Sequence, residues 1–166
     1  MSDGPITAHE RLEDGSFCLQ TSRWLPRPID EVFAFFADAA NLQLITPPFV
    51  HFKILTPLPV AMGEGTLIDY QIRLHGIPVR WRTQITVWQP PTAFEDVQLR
   101  GPYQMWRHHH TFVQDNGGTL CNDRVIYRVP GGWLVQKLFV GRDVERIFRY
   151  RDAQMLSRFG PPGEGP

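Results

Sequence analysis

The sequence has few cysteines and no long apolar run. Its two cysteines, Cys18 and Cys121, are too few for a disulfide scaffold and lack the spacing of a zinc motif, so we expect buried, reduced thiols. No apolar stretch approaches the roughly 20 residues that span a bilayer, and no membrane span is predicted. The first residues are polar and lack a signal peptide's apolar segment, so a cytoplasmic location is the expectation.

The chain also has no net charge at neutral pH when its histidines are neutral. Basic and acidic residues number 17 each among 166, so no overall field attracts nucleic acid, and no nucleic-acid partner is predicted. Lysine is scarce, because 15 of the 17 basic residues are arginine, which favours fixed ion pairs over a solvated cationic coat. The hydrophobic share of 42% is typical of one globular domain.

Several motifs of common enzyme classes are missing. The sequence has no nucleophile motif, phosphate-binding loop, dinucleotide fingerprint or zinc tetrad. Their absence counts against ordinary hydrolase, kinase and dehydrogenase chemistry, and no cofactor is predicted. A cyclase or dehydratase stays open, because it needs only a shaped pocket and an acid–base pair.

Turn residues divide the chain into strand-like and helical segments. A first strand is predicted at 16–25, followed by two short helices within 28–45, and a long helix is predicted at 135–159. The six strand-like segments between them are 49–55, 66–74, 79–88, 93–99, 103–114 and 119–129.

Short connections indicate that these strands are antiparallel neighbours. The sequence therefore predicts an α+β fold, with a curved seven-stranded antiparallel sheet wrapped around a long C-terminal helix. A cavity between the sheet and the helix is a natural consequence of that curvature. The domain is expected to span 16–159, with flexible ends at 1–15 and 160–166.

The chain resembles a known superfamily in its element order and in four segments: PRPIDEVFAFFADAANLQLITPPFVHFKIL, GIPVRWRTQITVWQPP, FEDVQLRGPYQMWRHHHTF and DVERIFRYR. It is similar to the SRPBCC superfamily, which includes START domains, birch-pollen allergens and polyketide cyclase/dehydrase-like proteins. The nearest resemblance, over about residues 16–159, is to a bacterial ligand-binding subgroup related to cell-division-inhibitor-like proteins. It implies the helix-grip fold and a hydrophobic ligand, but the fold does not fix an activity.

Three consecutive histidines occur within the strand-like stretch MWRHHHTF, residues 105–112. Alternate residues of a strand share a face, so the run divides into a pair and a single residue, His109, on the opposite side. The residues predicted to share the covered face are Trp106, His108, His110 and Phe112. The pattern W-x-H-x-H-x-F also resembles that of the bacterial subgroup.

The turns on both sides of this strand give an approximate register. Asp96 falls opposite His108 and Asp123 falls opposite His110. Gln98 falls opposite Trp106 on the same face. A carboxylate beside an imidazole fixes its tautomer and raises its proton affinity. The alternative for the two aspartates is pairing with arginines of the sheet.

The candidate ligand-binding residues combine an apolar wall with a few polar groups. The predicted wall consists of Phe94, Trp106, Phe112, Tyr127 and Phe148. The predicted polar contacts are Asp96, Gln98, His108, His110, Asp123 and Arg151. Arg151 belongs to this set because the helical phase that buries Phe148 brings it inward, and a solvated arginine near the helix end is the alternative.

Three functions stay open. The favoured one is non-catalytic binding of a small hydrophobic molecule, of lipid, polyketide or quinone type, in the cavity. The second is a cyclase or dehydratase whose catalytic candidates are His108, His110, Asp96 and Asp123. The third is an interaction protein with a vestigial pocket, and the sequence leaves open whether the protein is a monomer or a dimer.

The histidine pair has two further interpretations. It can form a structural hydrogen-bonded ladder, since buried polar groups usually satisfy one another. It can also supply two metal ligands, with Asp96 or Asp123 as a third. Because no second histidine pair clearly shares the face, no metal is assigned from the sequence.

Overall fold

The computed structural model describes residues 5–160, and its centre is one antiparallel sheet. The strands are β1 (Ile6–Arg11), β2 (Phe17–Leu25), β3 (Lys53–Ile54), β4 (Leu67–Leu74), β5 (Ile77–Gln89), β6 (Ala93–Arg100), β7 (Met105–Asp115) and β8 (Gly118–Arg128). Their spatial order is β1-β2-β8-β7-β6-β5-β4-β3. The middle of the sheet therefore contains β7 with its neighbours β6 and β8.

Helical segments lie between β2 and β3 and after β8. They are α1 (Ile29–Ala37), 3-10 helices at Ala39–Gln43 and Pro48–Val50, α2 (Gly132–Val135), a π-helical turn (Gln136–Val140) and α3 (Gly141–Phe159). The last three are continuous and form the C-terminal helix, 132–159. Acidic Asp30 and Glu31 occupy the first turn of α1, and the Asp38 side chain accepts a 2.9 Å hydrogen bond from the Ala40 amide, which caps the first 3-10 helix.

The predicted α+β helix-grip architecture is confirmed, with eight strands instead of seven. The additional strand is β1, which falls in the segment 1–15 that was predicted to be flexible. It pairs with β2 through a turn in which Gly15 adopts φ +81°, a conformation that glycine tolerates without strain. Residues 1–4 and 161–166 lie outside the described part, so most of the predicted C-terminal tail is not described.

The strand predicted at 49–55 is wrong over most of its length. Only Lys53–Ile54 pair with β4, and Pro48–Val50 form a 3-10 helix instead. Proline supplies the φ of a helical first position, and His51 ends the turn with φ +48°. The chain therefore changes direction here, and Val50 packs against Ile72 and Trp81 of the sheet.

The core has two main parts on the concave side of the sheet. One lies around α1, where Val32 and Phe33 pack against Leu25 and Phe112. The other lies under α3, where Val144 and Phe148 pack against the fully buried Val125. The pairing of β5 with β6 has two irregularities, and such bulges increase the twist that lets a sheet curve around a helix.

Candidate functional site

A cavity of about 170 Å³ lies between the concave face of the sheet and the helices. Its lining is mostly aliphatic and aromatic, with side chains from β4 to β7, from the α1 region and from α3. The predicted site residues that line it are Phe94, Asp96, Trp106, His108, His110, Phe148 and Arg151. A cavity with this lining suits an apolar molecule that carries few polar groups.

Strand β7 divides the histidine run as its period-two alternation predicts. His108 and His110 are 5% and 3% exposed and line the cavity. His109 points to the outer face, where its Nδ1 lies 3.4 Å from Glu95. Arg107 contacts the same carboxylate at 3.5 Å, so the outer face has its own ion-pair group.

The two cavity-facing histidines contact two aspartates. The predicted pairing is confirmed, because Asp96 lies opposite His108 and Asp123 lies opposite His110 in the sheet. The hydrogen bonds, however, connect each histidine to the aspartate that lies opposite the other histidine. His108 Nε2 lies 2.9 Å from Asp123 Oδ1, and His110 Nε2 lies 3.3 Å from Asp96 Oδ2. His110 Nδ1 also lies 2.7 Å from Asp123 Oδ1, so the four side chains form one cluster.

Arg151 joins this histidine–aspartate cluster from α3. Its Nη2 lies 3.4 Å from His110 Nδ1 and 3.9 Å from Asp123 Oδ1. The guanidinium also lies over the Phe36 ring, 5.1 Å from its centroid. The inward position is the one that the helical phase predicts, and the alternative of a solvated arginine is wrong because the side chain is only 13% exposed.

The surroundings set the charges of the cluster. Burial lowers the pKa of His108 to about 4, and the neighbouring His110 acts in the same direction. Burial by itself raises the pKa of Asp123, but Arg151 and the two histidines outweigh it and hold the pKa well below its usual range. The pKa of Asp96 is lowered for a similar reason, mainly through His110. At neutral pH, His108 is therefore neutral and both carboxylates are ionised.

Two predicted ligand-binding residues lie away from the cavity. The side-chain amide of Gln98 donates a 2.8 Å hydrogen bond to the Tyr103 carbonyl and so holds the β6–β7 hairpin. Phe112 packs edge-on against Phe33 in the core, with ring centroids 5.5 Å apart. Both residues lie on the concave face of the sheet, as predicted, but the cavity covers only part of that face. Asp123 is also absent from the lining, since it lies behind the imidazoles.

Tyr127 is the fourth predicted residue that does not line the cavity, and it belongs to a second polar network. Its buried hydroxyl accepts a 2.6 Å hydrogen bond from Gln136 and lies 2.8 Å from His9 Nε2. His9 Nδ1 in turn lies 2.7 Å from Glu145. The network connects β1, β8 and the C-terminal helix, and it could not be predicted while β1 was assigned to a flexible end.

Sequence reasoning missed an aromatic group at the other end of the cavity. Tyr70 and Trp81 are cross-strand partners with stacked rings 5.6 Å apart, and Tyr103 packs edge-on against Trp81 at 5.4 Å. Burial, assisted by the charge of Asp96, raises the pKa of Tyr70 well above its usual value, so its hydroxyl remains a donor. Alternation in TLIDYQIRL and VRWRTQITVW places both residues on the concave face and is the signal that could have found them.

A family model described as polyketide cyclase / dehydrase and lipid transport matches residues 25–155. Since the match covers most of the sequence, the chain belongs to this family, within the SRPBCC superfamily that its sequence resembles. The chain matches no curated protein sequence.

Solved structures share the fold at low sequence identity. Protein Ms6760 from Mycobacterium smegmatis is 16% identical with a TM-score of 0.66, and the alignment covers 93% of this chain and 97% of that chain. Protein CV1439 from Chromobacterium violaceum is 12% identical with a TM-score of 0.68, covering 87% and 97%. Ara h 8.0201 is 15% identical with a TM-score of 0.58, covering 86% and 99%. Identities this low show a common fold and leave the ligand open.

Within residues 5–160, no helix combines the length and the apolar character that crossing a membrane requires.

Proposed function

We propose that the protein binds a small hydrophobic molecule in the cavity between the sheet and α3. The observation that carries this proposal is a mainly apolar cavity with one cluster of ionisable side chains in its lining. Ligand pockets commonly combine a large apolar surface with a few polar groups that fix orientation. The family description, which joins polyketide chemistry and lipid transport, supports a hydrophobic ligand of this kind.

The size of the cavity narrows the class of ligand. A cavity of about 150 Å³ in another protein holds a benzene molecule, and this one measures about 170 Å³. We infer that the preferred ligand is a compact ring compound, of quinone or polyketide type, instead of an extended acyl chain. A long lipid would require the helices to move away from the sheet.

The polar end of the ligand would meet Arg151. Guanidinium has five N–H donors, and within residues 5–160 Arg151 makes one hydrogen bond, from Nη2 to His110 Nδ1. The remaining donors suit a carbonyl or phenolic oxygen. The apolar body of the ligand would then lie against Phe148 and Trp106, which line the same cavity.

The test is native mass spectrometry of protein purified without a tag, followed by organic extraction of the same sample. We expect one apolar molecule per chain, which is lost in a folded His108→Ala/His110→Ala variant. The matched control is His109→Ala, which changes the outer face and should retain the molecule. A molecule that remains in the double variant but is lost in the control would contradict the proposal.

The enzyme alternative is favoured by one observation, the 2.9 Å contact of a neutral imidazole with a carboxylate beside the cavity. His108 could remove a proton next to a substrate carbonyl, while Arg151 stabilises the oxyanion that forms. Exchange of the α-protons of 1-tetralone in deuterated water, followed by NMR, tests this. Catalysed exchange that disappears in His108→Gln supports an enzyme, and exchange at the uncatalysed rate argues against proton transfer.

A further inference from the structure

We propose that Asp96, His108 and His110 bind one divalent transition-metal ion at the wall of the cavity. One ring nitrogen of each histidine and one Asp96 oxygen lie within 4.8 Å of one another, and both histidines are buried. The proposal goes beyond ligand binding and does not depend on it. It also departs from the expectation that the sequence gives, because the orientation of the rings is visible only in the structure.

Both imidazoles contact one oxygen of Asp123. His108 Nε2 lies 2.9 Å and His110 Nδ1 lies 2.7 Å from the same oxygen, Asp123 Oδ1. His108 Nε2 donates a hydrogen bond to this oxygen and therefore carries the proton of the neutral His108 ring. The other nitrogen of the neutral His108 ring, Nδ1, is then a lone pair, and it lies 3.8 Å from Asp96 Oδ2.

Without a metal, His110 Nε2 donates a hydrogen bond to the ionised Asp96, and a bound metal ion would take the place of this proton. Asp96 Oδ2 lies 3.3 Å from His110 Nε2 and 3.8 Å from His108 Nδ1. A charge-assisted N–H···O contact is usually about 2.7–2.9 Å, so a proton fits this group less well. Ligand atoms about 2.0–2.2 Å from a tetrahedral zinc ion lie roughly 3.3 Å apart, which is close to the observed separations.

Hydrogen bonds from neighbouring side chains orient these ligands. Asp123 contacts a nitrogen of each imidazole, as carboxylates often do for metal-bound histidines. The Thr21 hydroxyl donates to the other Asp123 oxygen at 3.1 Å. The Thr83 hydroxyl lies 3.3 Å from Asp96 Oδ1, which leaves Oδ2 free for the ion.

Charge balance points in the same direction. Metal binding requires both imidazoles to be unprotonated, and the carboxylates of Asp96 and Asp123 then carry two negative charges against the one positive charge of Arg151. A cation placed among the three ligand atoms would offset the remaining negative charge. Two imidazoles and a carboxylate suit zinc or iron(II), and are a poor set for magnesium or calcium, which prefer oxygen ligands.

The binding of Zn²⁺ to tag-free protein, stripped of metal with a chelator, tests the proposal by calorimetry and elemental analysis. We expect one zinc ion per chain in the wild type. Asp96→Asn and His110→Gln should weaken binding by at least about 100-fold, and Asp123→Asn by roughly 10–100-fold. His109→Gln is the matched control on the outer face and should bind zinc as the wild type does.

Three outcomes separate the possibilities. If Asp96→Asn fails to fold, ring ¹⁵N spectra of the wild type replace it, and zinc should then shift His108 Nδ1 and His110 Nε2. Absence of zinc binding would overturn the proposal, because affinity generally increases from iron(II) to zinc and an iron(II) site would therefore bind zinc. If His109→Gln loses zinc binding while Asp96→Asn retains it, the zinc site lies on the surface, and this result would also overturn the proposal. Organic extraction of the metal-free protein tests the hydrophobic ligand separately, so either proposal can fail without the other.

Discussion

The imidazoles of His108 and His110 lie side by side with ring centroids 3.7 Å apart and ring planes inclined by 34°. Phe94 stacks on the other side of His110 at 4.0 Å, so aromatic packing restricts the rotation of that ring. Because Asp123 contacts both rings, removing its charge affects the whole cluster at once. A buried network of this kind responds to a single substitution more strongly than a surface ion pair does.

We expect Asp123→Asn to lower the free energy of unfolding by about 3 kcal/mol or more, since it leaves buried donors and Arg151 without their charged partner. The matched control is Asp69→Asn, which breaks an exposed pair with Arg82 and should cost less than about 1 kcal/mol. Urea denaturation of the metal-free proteins measures both values. Equal losses in the two variants would contradict the structural role of the cluster.

Cys121 should be unreactive in the folded protein. Burial and then the charge of Asp123 raise the pKa of its thiol to about 12. Near pH 8 it therefore carries roughly a thousandth of the thiolate of an ordinary cysteine, and the thiolate is the reactive form. We expect iodoacetamide to label it at least about 100-fold more slowly in the native state than in urea, with the rate increasing as the pH approaches 12.

Peptide mapping by mass spectrometry distinguishes Cys121 from Cys18, which is 1% exposed. Native labelling of Cys121 as fast as in urea would show that the strand opens far more readily than its packing implies.

At the scale of the elements, α3 is fastened to the sheet by an ion pair with two parallel hydrogen bonds. Arg23 on β2 donates from Nε and Nη2 to the two oxygens of Asp152, each at 2.6 Å. The carboxylate is 10% exposed, so solvent screens this pair only weakly. The pair holds the helical turn that also carries Arg151.

Arg23→Lys should loosen this attachment, because lysine keeps the charge but cannot form the two parallel bonds. We expect a loss of about 1–2 kcal/mol and faster amide hydrogen exchange in the last turns of α3. Arg27→Lys is the matched control, since Arg27 makes a single exposed 3.8 Å contact with Glu31. Unchanged exchange in Arg23→Lys would show that apolar packing alone holds the helix.

The elements themselves were predictable where side-chain alternation was strong. The alternation in MWRHHHTF identified the cavity-facing histidines, and short hairpins fixed the register of Asp96 and Asp123 correctly. Strand β1 was missed because its polar sequence has little apolar signal and acquires order from pairing with β2. The diagonal hydrogen bonds could not be predicted, since they depend on side-chain rotation instead of backbone register.

For the whole molecule, the curved sheet leaves a cavity between its concave face and the C-terminal helix, beside the buried clusters in which the two pack together. The sequence indicated a pocket, but not which part of the concave face would remain open. Phe112 is consequently covered by α1, while Tyr70 and Trp81 are left at the cavity. Exposed apolar side chains also occur at the start of the C-terminal helix, where Trp133 and Phe139 are 54% and 55% exposed.

The central claim is that a compact hydrophobic ligand occupies the cavity, and calorimetric titration with 1-naphthol tests it most directly. The probe has a two-ring apolar body and one hydroxyl. Ile72→Phe places a ring in the cavity lining, whereas the same substitution at Ile77 adds it to a residue that is 66% exposed. We predict saturable binding of one 1-naphthol per chain in the wild type and in Ile77→Phe, with at least tenfold weaker binding in a folded Ile72→Phe. No saturable binding to the wild type, or equal affinity in both variants, would contradict the account.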